Sequence, residues 1–307
     1  MEESGKSKGV VLADVGGTNV RFALSRNGTL SSIEHMMVAD YHRSAIRHAL
    51  FGVAGVVEGE RCALPNNPCI VAADELRARF NFSDVHIVND FEALAWSLPH
   101  LAAKDFRMIG GRAPKANAPM VVLGPGTGLG VAAYVRGEKG GLAVRSEGGH
   151  ATLPRGSLRE DAIIAKLRQQ FGHVSAERAL SGSGLENLYH TIASLESRTA
   201  PERDAAEIAQ AAAAGSCATS RDALDTFCAL FGAVAGNLAL TFGAQGGVYI
   251  AGGIVSHIRD FLPQSQFRSR FEVKGRLSPY LEAIPIYLIL HDDPAFVGLQ
   301  SLIAQRA

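Results

Sequence analysis

The chain has 307 residues, 47% of them hydrophobic, 20% charged and 7% aromatic, which excludes a disordered or fibrous protein and points to an ordinary soluble globular one. Its length exceeds the ~100 to 150 residues of one typical domain, so two domains or one large one are expected. Thirty Lys and Arg against thirty Asp and Glu leave no net charge, and with it no global basic field for nucleic acid or anionic lipid. Cys62, Cys69, Cys217 and Cys228 form no C-x-x-C pair and lack the density of a disulfide scaffold, as expected in a reducing cytoplasm.

The opening MEESGKSKG has no apolar signal-peptide core and reads as a frayed tail. Val10–Ala13, a β-branched run ending at Asp14, the glycine turn Val15 to Asn19, and the alternating Val20–Leu24 then read as a strand, a tight turn and a returning strand. A short strand, 85–88, and a helix from about Phe91 to Leu98 follow, and the Pro-containing, apolar-poor 112–119 reads as a connection. The hairpin pattern then recurs: Met120–Leu123, the turn Gly124 to Gly130, and Val131–Val135. Two such openings imply two related α/β halves.

Helical patterns cover Glu160–Phe171, Leu185–Ser194, Asp204–Ala213 and Arg221–Phe242. Strands are expected at 247–251 and 286–290, and a tail helix, 295–307, that packs back on the first half. Strands alternating with helices argue for largely parallel sheets covered by helices. Residues 226–258 are free of Lys, Arg, Asp and Glu, long enough to suggest a membrane span. Seven interrupting glycines make them instead a buried helix, a turn and a buried strand.

Three constellations carry chemistry. Glycine turns bring backbone N–H groups close to a polyphosphate where a Cβ would obstruct, and a Thr hydroxyl adds a hydrogen bond; either turn alone also reads as a plain hairpin turn. No P-loop and no dinucleotide-binding G-x-G-x-x-G is present. What remains is a phosphate grip in a cleft between two halves, with Asp14 at the end of the first strand able to hold hydrated Mg²⁺ or simply to start the turn. Asn89-Asp90 follows a strand and precedes a helix: Asp90 reads either as an N-cap or as a base for an attacking hydroxyl oriented by the neighbouring amide. Glu147-Gly148-Gly149-His150 and Glu177 present carboxylates and an imidazole on loops, as a polyhydroxylated ligand requires. They lack the ligand number of a zinc site.

These segments, LADVGGTNVRFAL, HIVNDFEALAWSLP, VVLGPGTGLGVAAYV, SEGGHATLP, GHVSAERALSGSGLENLY, GGVYIAGGI and IYLILHDDPAFVGL, together resemble the bacterial-type glucokinase family, in order and over nearly the whole chain. The resemblance implies a two-domain actin-like ATPase, ribonuclease-H-like α/β fold, with a small domain of residues 1–100 plus about 291–307, a large domain of 101–290, and the ligand cleft between them. It implies transfer of the γ-phosphoryl group of Mg-ATP to the 6-hydroxyl of glucose, giving glucose 6-phosphate and ADP, the first step of glycolysis.

On the family's scheme Asp90 is the catalytic base, and Asn89, Asp90, Glu147, His150 and Glu177 hold the sugar. Gly16, Gly17, Thr18 and Asn19 correspond to the first phosphate motif, Gly126, Thr127 and Gly128 to the second, and Gly252-Gly253 to the adenosine side. Asp14 positions Mg²⁺ through water. ATP, Mg²⁺ and glucose are the implied ligands, and a cytoplasmic homodimer without nucleic-acid or membrane partners is expected.

The sequence departs from the family at Ser181-Gly182-Ser183-Gly184, at Gly55-Val56 where Gly-Pro is usual, and in having only twelve residues between Val38 and Phe51. That shortness requires a very short helix within 41–49 or a different strand order. The zinc-binding cysteine cluster of the related kinase and repressor group is missing. Rival readings are a kinase of another hexose, which no motif separates from glucose, and a sugar-responsive regulator, disfavoured by the neutral chain and by the presence of Asp90.

Overall fold

The computed structural model describes residues 9–16, 20–26, 29–31, 46–64, 69–137 and 140–306. The chain divides into two compact units, Met1–Ala102 with Leu142–Arg145 and His291–Ala307, and Ala103–Gly141 with Ser146–Leu290.

In the first unit β1 (Gly9–Val15) is apolar almost throughout and buried on both faces, as a central strand must be. β2 (Val20–Arg26) returns antiparallel in the register Val15↔Val20 to Gly9↔Arg26, and β3 (Thr29–Leu30) pairs with β2. β4 (His48–Val53) lies parallel on the other side of β1. The chain then makes a small antiparallel sheet, β5 (Val56–Glu58), β6 (Arg61–Ala63) and β7 (Ile70–Ala72), whose Val57 and Cys62 face the core. α1 (Ala73–Phe80) ends at Asn81, whose left-handed φ of 54° an Asn side chain tolerates. β8 (Asp84–Asn89) runs parallel to β4 and leads directly into α2 (Asp90–Ser97), which Pro99 terminates. The sheet order is β3-β2-β1-β4-β8.

The second unit opens with β9 (Phe106–Gly110), then β10 (Met120–Pro125) and β11 (Leu129–Gly137); β12 (Gly140–Ser146), whose Leu142–Arg145 are counted with the first unit, comes next in the chain. Helices α3 (Leu158–Phe171), α4 (Gly182–Leu195), α5 (Ala205–Ala213) and α6 (Ala218–Phe242) follow. β13 (Gly247–Ile250), α7 (Gly253–Ile258), α8 (Phe267–Glu272), α9 (Ser278–Ala283) and β14 (Ile286–Ile289) complete the unit. The order β12-β11-β10-β13-β14-β9 repeats the first sheet, an antiparallel hairpin followed by two parallel strands, with β9 added antiparallel at the edge. The duplication expected from the two glycine turns is therefore present.

α6 is long and apolar enough to cross a membrane, but it is the buried spine of this unit, packed by α4, α5 and α8. A Cβ at Gly232 or Gly236 would stand 2.0 or 2.5 Å from the backbone oxygens of Phe267 and Phe271, so these glycines let α8 sit directly on the helix. The tail helix α10 (Pro294–Arg306) packs on α2, β1 and β4 of the first unit, as expected.

The short crossover is resolved in part. Ala49 already belongs to β4, and β4 takes its place beside β1, so no helix reaches Ala49 and the strand order is the ordinary one. Residues 32–45 of that connection lie outside the described residues.

Candidate active site

Asp14 is the next-to-last residue of β1 and only 8% exposed. The antiparallel register places it opposite Arg21, and the guanidinium donates to its Oδ2. The same guanidinium donates to Asp293, in the turn that starts α10. Two carboxylates thus share one cation and the trio carries a net charge of about −1. Mg²⁺ takes hard oxygen ligands, keeps several waters and is usually held by one or two carboxylates together with substrate phosphates, so this donor set fits it. Of the first phosphate motif, Gly16 follows β1, whereas Gly17, Thr18 and Asn19 lie outside the described residues.

Asn89 is the last residue of β8, in register with Val53, and it is Asn89 that caps α2, not Asp90. Its extended backbone lets Oδ1 accept from the N–H groups of Phe91 at 2.9 Å and Glu92 at 3.1 Å. Nδ2 donates to the carbonyl oxygen of Gly55 at 3.1 Å. The carboxamide is thereby locked between helix and neighbouring strand end, with one N–H left over. Asp90 becomes the first helical residue, half-buried, its Oδ1 accepting from Phe91 N–H at 2.9 Å. Its carboxylate stands at the C-terminal end of a parallel strand, where open α/β sheets gather ligands. At Gly55 a Cβ would lie 2.3 Å from Ala63 O, which explains why the glycine stays although the usual proline after it is replaced by Val56.

The third constellation assembles across two loops. An isolated bridge, Thr152↔Ser175, and the bond from Ala176 N–H to Ala151 O clamp the segment after His150 against the one before Glu177. His150 Nε2 lies 3.8 Å from Glu147 Oε2, and Nδ1 lies 3.9 Å from Glu177 Oε1. These spacings are longer than direct hydrogen bonds, so the facing polar atoms keep capacity for a ligand. The side chains are 60%, 56% and 31% exposed for His150, Glu147 and Glu177.

Glu177 is held by its second oxygen: Oε2 accepts from Leu129 N–H at 2.9 Å, directly at the end of the second glycine turn. A Cβ at Gly128 would be 2.5 Å from that oxygen, so a side chain there would push the Glu177 carboxylate aside. The turn itself is shorter than the sequence suggests, because β10 and β11 extend to Pro125 and Leu129 and leave only 126–128. Gly126 N–H is used inside it, toward Gly128 O, while Gly126 O accepts from Gly182 N–H at the start of α4. Gly252 is pressed against Pro125, where a Cβ would be 2.4 Å from the carbonyl oxygen. Gly126–Gly128, Gly182 and Gly252-Gly253 therefore converge, although they are far apart in sequence.

Arg21 and Asp293 were not among the residues that sequence reasoning selected. Arg21 was findable, since the hairpin register pairs it with Asp14. Nothing local in the sequence marks Asp293.

Two α/β units built on the same strand order, each containing a glycine-turn hairpin, define the class of actin-like, ribonuclease-H-type ATPase folds. The family described as Glucokinase matches residues 11–306. The glucokinase of Paramagnetospirillum magneticum is 43% identical, covering 97% of this chain and 98% of its own. The solved glucokinase of an Antarctic psychrotroph superposes with a TM-score of 0.84 at 30% identity, covering 97% of this chain and 99% of that one. A glucokinase from Balamuthia mandrillaris, solved in complex with glucose, shares the fold at 21% identity and a TM-score of 0.83, covering 99% and 95% of the two chains. The chain belongs to the glucokinase family.

Proposed function

We propose that this protein transfers the γ-phosphoryl group of ATP to the 6-hydroxyl of glucose, giving glucose 6-phosphate and ADP. The observation that carries the reading is the position of Glu177: one carboxylate oxygen braces the second glycine turn at Leu129, and the other faces His150 in a cluster open to solvent. This supports a reading in which a polyhydroxyl-binding group is built onto a phosphate-binding turn.

In this reading Asp90 accepts the proton of the 6-hydroxyl as that oxygen attacks, and the remaining N–H of Asn89 orients the hydroxyl. Glu147, His150 and Glu177 accept from and donate to the other sugar hydroxyls. Thr127 and Gly128 offer N–H groups to the nucleotide phosphates together with Gly16, Gly17, Thr18 and Asn19, while Gly252-Gly253 borders the adenosine. Asp14 holds Mg²⁺ through water, with Asp293 close by. Mg²⁺ when bound neutralises charge on the phosphates. The family and the burial of the apolar helix in protein support a cytoplasmic enzyme; the homodimer follows from the commonness of cyclic pairs among soluble oligomers.

The test is ADP release with Mg-ATP against glucose, mannose, fructose, glucosamine, N-acetylglucosamine and no sugar. Turnover with glucose far above the rest is expected. Preference for another sugar would keep the fold and base and refute glucose, and absence of turnover in a folded, nucleotide-binding protein would refute the kinase reading.

A further inference from the structure

The trio Asp14–Arg21–Asp293 contains more than a metal-positioning carboxylate needs. Arg21 donates to both acids, its side chain 30% exposed and theirs 11% and 22%. Asp14 sits at the end of β1, while Asp293 opens the C-terminal helix; they are brought together only because α10 packs back on β1 and α2. That packing is tight. A Cβ at Gly298 would fall 1.7 Å from the backbone oxygen of Ala93, so α10 lies directly on the helix that begins with Asp90. The turn before it is ordered as well, with Asp293 N–H donating to His291 Nδ1 at 3.0 Å. The placement of Asp293 is therefore fixed by the fold, not by a flexible tail.

The electrostatic consequence is specific. A carboxylate paired with a guanidinium of its own has no net charge to offer a divalent cation. When the guanidinium is divided between two carboxylates, one negative charge remains at the pair, and at short range in a partly buried place that charge acts strongly on a cation.

We propose that Asp293 is a positioning residue for the phosphate side of the reaction: by drawing on Arg21, it leaves Asp14 the negative charge with which hydrated Mg²⁺-nucleotide is held. The inference rests on the reading of Asp14 given above. Asp293 itself touches neither sugar nor phosphate. Its effect passes through Arg21, and the C-terminal helix is part of the nucleotide site for that reason.

The test is calorimetric binding of ADP with and without Mg²⁺ to the full chain, in parallel with steady-state kinetics, for Asp293→Asn, Asp293→Glu and Asp14→Asn. Asp293→Asn retains an oxygen acceptor for Arg21 and removes only charge. It is expected to weaken Mg-ADP binding about tenfold, the order expected of one nearby charge. By the same argument ADP without Mg²⁺, an anion, should bind no more weakly and up to about severalfold tighter, and the KM for glucose should stay within about twofold. Asp293→Glu should recover most of the loss, which a merely steric role would not permit. Equal weakening of ADP and Mg-ADP, or a similar loss in Asp293→Glu, would overturn the proposal in favour of a structural tether. If Asp14→Asn lowers Mg-ADP affinity while Asp293→Asn leaves it unchanged, the proposal fails and the reading of Asp14 stands. If Asp14→Asn is itself without effect on Mg-ADP, both fail.

Discussion

The two glycine-turn hairpins share a place in equivalent sheets, but they obtain their charged groups differently. In the first, Asp14 and Arg21 belong to the hairpin's own strands and face each other in register. In the second, the equivalent strand ends are Gly124, Pro125, Leu129 and Gly130, which carry no charge, and the carboxylate arrives from Glu177 on a separate loop. A duplicated frame thus fixes where a glycine turn sits and leaves the charges around it free to differ. The first hairpin is charged, as suits a metal-bearing phosphate. The turn end of the second is uncharged, and its acid is borrowed from Glu177; under the proposed function that acid gives the turn a face toward a sugar.

The comparison is broken most severely at the residue that neither hairpin supplies. Asp90→Asn should lower kcat by about 10² to 10⁴ with a much smaller change in glucose affinity, measured by steady-state kinetics beside equilibrium sugar binding. A near-normal kcat would remove Asp90 from the reaction. Next in size, Gly128→Ala should separate Glu177 from Leu129 and raise the KM for glucose about tenfold or more, as loss of a hydrogen bond to a charged acceptor implies. If only the KM for ATP changes, the second turn serves phosphate alone and the contrast with the first hairpin narrows.

Asn89→Ala should cost about 1 kcal/mol or more of stability in denaturant unfolding, from the lost cap alone, because the α2 donors and Gly55 O lose their partner together. Asn89→Asp preserves the cap acceptor but sets a carboxylate oxygen against Gly55 O, so it should recover the cap's share of that loss and no more.

The smallest effects come from the cysteines, one core and one accessible thiol in each unit. Burial pushes the Cys228 thiol up to about 12, whereas the Ser220 hydroxyl and the N–H groups at the start of α6 bring Cys217 below its ordinary value. At pH 7 to 8 a thiol reagent should therefore modify Cys69 and Cys217 in the native protein and reach Cys62 and Cys228 only on unfolding. Separate denaturant midpoints for exposure of Cys62 and Cys228 would show that the units unfold independently; one shared midpoint would show that they unfold together.

The parts of the fold legible in the sequence were those with a long local pattern. The two hairpins, β8, the helices from α3 to α6, β13, β14 and α10 all emerge within a few residues of their expected bounds. The three-residue strands β5, β6 and β7 and the six-residue helices α7, α8 and α9 were not foreseen, because such lengths stop short of a second full period of 2 or of 3.6 and so show no repeat. β12, GGLAVRS, hides behind its glycines. At Asn89-Asp90 the pattern located the strand-to-helix junction, but the cap it offered as one alternative fell on Asp90 where the structure has Asn89, since the choice depends on β8 continuing one residue further alongside β4.

The sequence by itself determined the α/β class, the duplication and the identity of the chemically capable side chains, because glycine turns, strand alternation and motif order are written locally. Only the tertiary structure decided the partnerships: Asn89 with Gly55 across 34 residues, Glu177 with Leu129 across 48, and Arg21 with Asp293 across 272. Such pairs are selected by sheet order and helix packing, which sum weak contacts over the whole chain, and no local period encodes them.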